Sequence, residues 1–276
     1  MRTQARAIGH FGELLQGRLG RDGPVALVTL PCPELAVAAQ VHPAAGLALH
    51  GSGQRLLTPA RARKFLQLLG LSLQGRIVLR ADMPAGCGAG ASTATLVVLA
   101  ELARWQGSAQ TLAQACLAIE GATDPLMFPA PETMLWASRN AEPIALLPPL
   151  PEFDVMGGFW GDGQRTDPTD HDFPDISDLI PQWANAAAAA DLAGLAALCS
   201  TSASRCLAHR PSSQTTRTDP TASLAADLGA LGYVIAHTGA ARGLIYAPGQ
   251  IPDQAYAALR AAGLRRIVRF RAGGRR

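Results

Sequence analysis

The sequence has 276 residues, 48% of them hydrophobic and 16% charged, with a formal net charge of +3. That apolar share can bury a sizeable core, which excludes disordered, collagen-like and coiled-coil chains. The basic residues are thinly spread and all of them except Lys64 are Arg, so nucleic acid is not an expected partner and a lysine-type phosphate loop in mid-chain is excluded.

Five cysteines, Cys32, Cys87, Cys116, Cys199 and Cys206, sit at irregular spacing with no Cys-x-x-Cys pair, and the start Met1-Arg2-Thr3-Gln4 has no apolar signal core. Together they lead to the expectation of a reducing, cytoplasmic compartment. No segment reads as a membrane span: Thr95–Ala100 is interrupted by Glu101, and the alanine-rich 184–197 carries Asn185 and Asp191.

In chain order, short β-like segments come first, at Gln4–Gly9, Gly12–Leu19, Pro24–Leu30 and Glu34–His42. Leu19-Gly20-Arg21-Asp22-Gly23 supplies the turn chemistry of a hairpin. A helix is predicted near Pro59–Leu69 and an apolar strand at Arg76–Asp82. A Gly-rich turn, 84–90, then runs into a helix at Ser92–Trp105, and a second helix covers Leu112–Glu120 before a Pro-dense stretch, 125–131.

The second half starts with strands near Pro143–Leu147 and Phe153–Gly157. A loop with six Asp follows between Gly161 and Asp178. Helices are predicted at Asp178–Ala190, Asp191–Arg205 and Ala222–Leu231. Strands at Tyr233–His237 and Gly243–Ala247, a helix at Asp253–Ala262 and a strand at Arg265–Arg271 complete the chain. Strands and helices mix without strict alternation, which fits an α+β chain in two parts, divided as 1–148 and 149–276.

The sharpest feature is Met83-Pro84-Ala85-Gly86-Cys87-Gly88-Ala89-Gly90-Ala91-Ser92-Thr93-Ala94. A strand ends, Pro84 blocks its continuation, glycines let the backbone approach a ligand, and Ser92 and Thr93 open a helix. Free N–H groups at a helix N-terminus attract anions, so Pro84, Gly86, Gly88, Ala89, Gly90, Ala91, Ser92 and Thr93 form a candidate phosphate cradle. A tight strand-to-helix turn whose glycines only permit packing is the other reading. The Gly86-x-Gly88-x-Gly90 spacing departs from Gly-x-Gly-x-x-Gly, which argues against a dinucleotide site.

This segment resembles the Pro-x-x-x-Gly-Leu-Gly-Ser-Ser-Ala-Ala motif of the GHMP kinases, the superfamily of galactokinase and of homoserine, mevalonate and phosphomevalonate kinases. Pro84, Gly88, Gly90, Ser92 and Ala94 are in register, while Ala89 and Ala91 depart from the motif. Three further segments resemble one branch, the L-threonine kinases of cobalamin synthesis and propanediol utilisation. They are Gly12-Glu13-Leu14-Leu15-Gln16-Gly17, Ile119-Glu120-Gly121-Ala122-Thr123-Asp124 with one extra residue, and Ile235-Ala236-His237-Thr238-Gly239-Ala240-Ala241-Arg242-Gly243-Leu244.

The resemblance implies a GHMP-kinase-like fold, with a ribosomal-protein-S5-like sheet in the N-terminal part. It implies ATP and Mg²⁺ as cofactors and a small amino acid as substrate, with L-threonine giving O-phospho-L-threonine and homoserine as the alternative. Ser92 and Glu120 match the Mg²⁺ ligands, and Asp124 the catalytic base. As a residue before Pro125, Asp124 also reads as a turn or cap. Glu13 is the candidate partner of a substrate ammonium, or else a surface strand residue. Thr238 and Gly239 would form a substrate-side turn, and Arg242 would pair with a substrate carboxylate or stand on the surface.

His10 and His237 read as structural hydrogen-bonding residues. Cys199, Cys206 and His209 lack the fourth ligand of a metal set, and the Asp-rich loop lacks the glycine of a calcium loop, leaving a surface loop or lid. A non-catalytic ligand sensor on the same fold is the rival from another class, and retention of Ser92, Glu120 and Asp124 favours an enzyme. Superfamily members often dimerise, which makes a homodimer an expectation.

Overall fold

The computed structural model describes residues 3–162, 167–209, 218–237 and 239–274. It opens with β1 (Gln4–Arg18) antiparallel to β2 (Val25–His42), joined by the turn expected at 19–23, where Leu19 N donates to Pro24 O at 3.2 Å. The sequence suggested four short strands here. The glycines of β1, Gly9 and Gly12, and the prolines of β2, Pro31 and Pro33, instead mark irregularities in two long strands: the β1–β2 register shifts after Ile8, between His10 and Glu13, and before Leu15. Gly12 takes up the bulge with φ of 78°.

A short β3 (Leu47–His50) precedes α1 (Pro59–Leu68), which has Thr58 as N-cap and Pro59 in its first turn. β4 (Gly75–Ala81) pairs antiparallel with β2 and parallel with β3. α2 (Ala91–Leu102) is apolar almost all round and packs against β1, β2 and α3 (Ala109–Glu120). α2 stops before the expected Trp105 because Arg104 turns left-handed, with φ of 61°, and Trp105 N reaches back to Ala100 O at 2.9 Å.

A 3₁₀ turn at Pro131–Thr133 leads into the hairpin of β5 (Met134–Ala137) and β6 (Glu142–Leu146). Then follow β7 (Phe153–Phe159), α4 (Leu179–Ala188), α5 (Leu192–His209) and α6 (Thr221–Asp227). α6 falls short of Leu231 because Gly229 turns left-handed and Ala230 N bonds Ala225 O at 2.9 Å. β8 (Gly232–Ile235), β9 (Ala241–Tyr246), α7 (Ala255–Ala261) and β10 (Arg265–Ala272) complete the order.

Among the described residues the strands form one ten-stranded mixed sheet with the path β10-β7-β9-β8-β1-β2-β4-β3, and the β5–β6 hairpin attaches to β2. The architecture is therefore α+β, as expected. The division at 148/149 falls between β6 and β7, while the Glu13–Ile235 pairing of β1 with β8 carries the sheet across it. One apolar cluster likewise spans both halves. At its centre Phe11 of β1 is fully buried, edge-on to Phe159 of β7 at 5.7 Å and to Phe270 of β10 at 5.8 Å. All five cysteines are buried, and none of them forms a disulfide. No helix among the described residues is long and apolar enough to cross a membrane.

Candidate active site

The glycine loop leaves β4 through Asp82 and Met83. Gly86, Gly88 and Gly90 all have positive φ, at 77°, 67° and 69°. Two of these positions are fixed by what lies against them. A Cβ on Gly88 would stand 2.6 Å from Ala236 Cβ, and one on Gly90 would stand 2.6 Å from His10 Cδ2. Gly239 is equally constrained, since a Cβ there would lie 2.2 Å from the carbonyl carbon of Cys87. The central glycine motif and the segment after β8 therefore meet backbone to backbone, tied by Ala240 N to Cys87 O at 3.0 Å.

Gln54, which carried no signal in the sequence, clamps the loop from outside. Its Oε1 accepts from Ala85 N at 2.7 Å and its Nε2 donates to Met83 O at 3.2 Å.

The loop ends at Gly90, the N-cap of α2, and no side chain caps that helix. Ala91, Ser92 and Thr93 of its first turn line a cavity of about 290 Å³, together with Pro84, Gly86, Gly88, Ala89 and Gly90. A glycine cradle closed by uncapped N–H groups suits an anion such as a phosphate.

Glu120 and Asp124 also line this cavity. α3 delivers Glu120 at its last turn, before Gly121 adopts the left-handed conformation that ends it. Ser92 Oγ donates to Glu120 Oε1, and Thr93 Oγ1 donates to Oε2 at 2.9 Å. Burial pushes the Glu120 carboxyl up to about 7, against those two hydrogen bonds. A hydroxyl and a carboxylate side by side are hard oxygen donors, so Ser92 and Glu120 fit Mg²⁺.

Asp124 sits in a loop held by Thr123 N to Ser138 O at 2.9 Å and by Trp136 Nε1 to Thr123 O at 2.7 Å. Its Oδ2 lies 3.2 Å from His10 Nε2. Burial works to raise the Asp124 carboxyl, but the His10 charge and hydrogen bond, with His237 and Arg139 beyond, hold it below the ordinary value.

Glu13 lines the same cavity and is 2% exposed. Its Oε1 is 3.5 Å from His10 Nδ1, and its Oε2 is buried with no hydrogen-bond partner. Burial pushes Glu13 up to about 8, with the His10 charge opposing. Burial alone would lower His10, yet Asp124 and Glu13 raise it to about 9. Among the described residues these three form the group whose ligand atoms converge within 4.8 Å.

The cavity thus gathers Glu13, Glu120, Asp124 and all eight cradle residues expected from the sequence. Arg242 is not among its lining residues. Its Nε bonds Asp219 Oδ2 at 2.6 Å and its Nη1 donates to Gly239 O at 3.0 Å, so it braces the segment between β8 and β9. Gly239 packs on the cradle, and Thr238 lies outside the described residues.

Arg55, Arg61 and Arg139, which sequence reasoning passed over, also line the cavity, as do His10 and His237, which it read as structural hydrogen-bonding residues. Their local sequence carries no pattern that would single them out. Of the Asp-rich loop, 163–166 lies outside the described residues. The remainder borders the site through Pro168 against Gly121 and through Phe173, which stacks on His237 at 4.0 Å. His209 pairs with Asp172 at 2.8 Å, away from any metal set.

No family model matches the sequence, and no curated protein matches it either. Solved structures do resemble the fold. Mevalonate kinase of L. major in complex with R-mevalonate is 15% identical, with a TM-score of 0.65 over 98% of this chain and 97% of that one. Homoserine kinase from Cytophaga hutchinsonii is 15% identical, with a TM-score of 0.62 over 99% and 95%. A structure described as MDDEF in complex with MVAPP, AMPPCP and magnesium is 12% identical, with a TM-score of 0.64 over 99% and 98%. At such identities the likeness establishes the fold: over nearly its whole length, the chain is built like the mevalonate and homoserine kinases.

Proposed function

We propose that the chain is an ATP- and Mg²⁺-dependent kinase of the GHMP type that phosphorylates the side-chain hydroxyl of L-threonine to O-phospho-L-threonine. The observation that carries this reading is the convergence, in one cavity, of an uncapped glycine cradle, the Ser92–Glu120 oxygen pair and the ionised Asp124 carboxylate. Phosphoryl transfer asks the protein mainly for positioning and charge stabilisation, and these groups supply both.

The loop 86–90 and the first turn of α2 hold the triphosphate. Ser92 and Glu120 would hold Mg²⁺, which when bound neutralises charge on the transferring phosphate. Asp124 takes the acceptor's hydroxyl proton as the hydroxyl oxygen bonds to phosphorus and the bond to the ADP oxygen breaks. Glu13, whose Oε2 has no partner in the protein, offers that oxygen to the acceptor's ammonium. Gly239, with Arg242 bracing its carbonyl, backs the glycine loop at Cys87 and Gly88.

The choice of threonine rests on the segments 12–17 and 235–244, and on that resemblance the product would feed the aminopropanol arm of the corrinoid. Homoserine is the second reading, favoured by the fold shared with a homoserine kinase.

The test is ADP release with ATP and Mg²⁺ across L-threonine, L-serine, L-homoserine and mevalonate. A preference for threonine, lost in Asp124→Asn, is expected. A preference for homoserine keeps the chemistry and moves the substrate. Release with none of the four, while ATP still binds, points to a substrate outside the four or to the sensor.

A further inference from the structure

The bulged part of β1 brings His10 and Glu13 into the same cavity, although residues three apart on a regular strand face opposite sides. His10 is 3% exposed. Its Nε2 faces Asp124 Oδ2 at 3.2 Å, and its Nδ1 faces Gly12 O at 3.4 Å and Glu13 Oε1 at 3.5 Å. The Asp124 carboxylate and the Gly12 carbonyl are both acceptors, whatever the state of Glu13. A neutral imidazole has one N–H and could serve only one of them, whereas an imidazolium serves both.

The ring is also fixed to the cradle. His10 N donates to Ala89 O at 3.2 Å, and the missing Cβ of Gly90 leaves the space that the ring occupies. A cation at the positive end of α2 is disfavoured, and the Asp124 carboxylate and the Gly12 carbonyl on either side of the ring offset that cost. Other titratable groups face Asp124 from further away: His237 after β8, Arg139 in the β5–β6 turn, and Glu120 at the end of α3.

We propose that His10 is a positioning residue, an imidazolium bridging Glu13 and Asp124 that fixes the Asp124 carboxylate against the cradle and aims it at the acceptor hydroxyl. The proposal rests on the reading of Asp124 as the base. His10 keeps both of its ring protons throughout, and the hydroxyl proton goes to Asp124.

Steady-state kinetics of His10→Gln and His10→Lys test it. His10→Gln is expected to lower kcat by about 100-fold, the scale of a small misplacement of a reacting group. KM for ATP should stay within about threefold, because the backbone of residue 10 still holds the loop. The acid limb of the kcat/KM profile should move to higher pH, since a carboxylate without its cation protonates more readily. His10→Lys, which restores the cation, should recover at least roughly tenfold of the loss.

An unchanged kcat in His10→Gln overturns the proposal. So does a loss that leaves the acid limb in place and that lysine does not rescue. If His10→Gln fails to fold, the side-chain ¹⁵N resonances of histidine-labelled wild-type protein decide. Two protonated ring nitrogens at neutral pH support the proposal, and a neutral tautomer contradicts it. Failure of the underlying reading is distinct: wild-type kcat in Asp124→Asn removes the base, whereas an inactive Asp124→Asn beside a fully active His10→Gln removes only the role of His10.

Discussion

Ser92 Oγ donates to Glu120 Oε1, so each serves as the other's partner. Removing the hydroxyl in Ser92→Ala leaves the half-buried Glu120 carboxyl with a single side-chain hydrogen bond, from Thr93. The expected outcome is a Mg²⁺ requirement raised at least roughly tenfold in Ser92→Ala and further in Glu120→Gln, with folding intact. Titration of initial rate against Mg²⁺ reads this, and equal Mg²⁺ requirements in all three proteins would contradict it.

His10 makes a prediction about stability too. Its folded-state value, about 9, lies above the ordinary 6.5, so the stabilisation it brings is fully present below about 6.5 and fades as pH rises through 9. Urea midpoints should therefore fall between pH 7 and pH 9.5, and the fall should be shallower in His10→Gln. Ser92, Glu120 and Asp124 were readable in the sequence because each sits in a short local motif. His10 was not: its partner is 114 residues away, and only the β1 bulge and the bare Gly90 bring the two together.

At the scale of elements, the cradle is a junction of β4, α2, β1 and the segment after β8. Gly90 holds it open. Gly90→Ala would force a side chain into a left-handed position and push it against the His10 ring. A loss of kcat of about 100-fold is expected, with a smaller change in the thermal midpoint; activity equal to wild type would show that the ring can move freely. Element types were largely legible from periodicity, whereas their ends were not. α2 stops early on a left-handed arginine, Arg104, a conformation that its residue type does not advertise. β1 looked divided because a glycine in a bulge and a glycine in a turn look alike in sequence, and β2 because Pro31 and Pro33 read as breaks where the structure has only a shift of register.

Across the whole molecule, the sheet and the main apolar cluster run through both halves of the chain. Phe11 is the clearest link, since it packs on Phe159 and Phe270 from beyond the 148/149 division. Phe11→Ala should cost about 3–5 kcal/mol in unfolding free energy by denaturant titration. A fragment of residues 1–148 should lack a cooperative transition, because β1 loses β8 and the core loses both ring partners; a stable, cooperative fragment would contradict this. Composition announced the core, but which strand would join the halves depends on long-range pairing that no local pattern encodes.

The most direct test of the account is ³¹P NMR of purified protein incubated with ATP, Mg²⁺ and L-threonine, beside the Asp124→Asn variant. The account predicts a phosphomonoester resonance that grows as ADP appears, matches authentic O-phospho-L-threonine, and is nearly absent from the variant. Accumulation of ADP with inorganic phosphate alone, or an equal phosphomonoester signal from the Asp124→Asn protein, would contradict it.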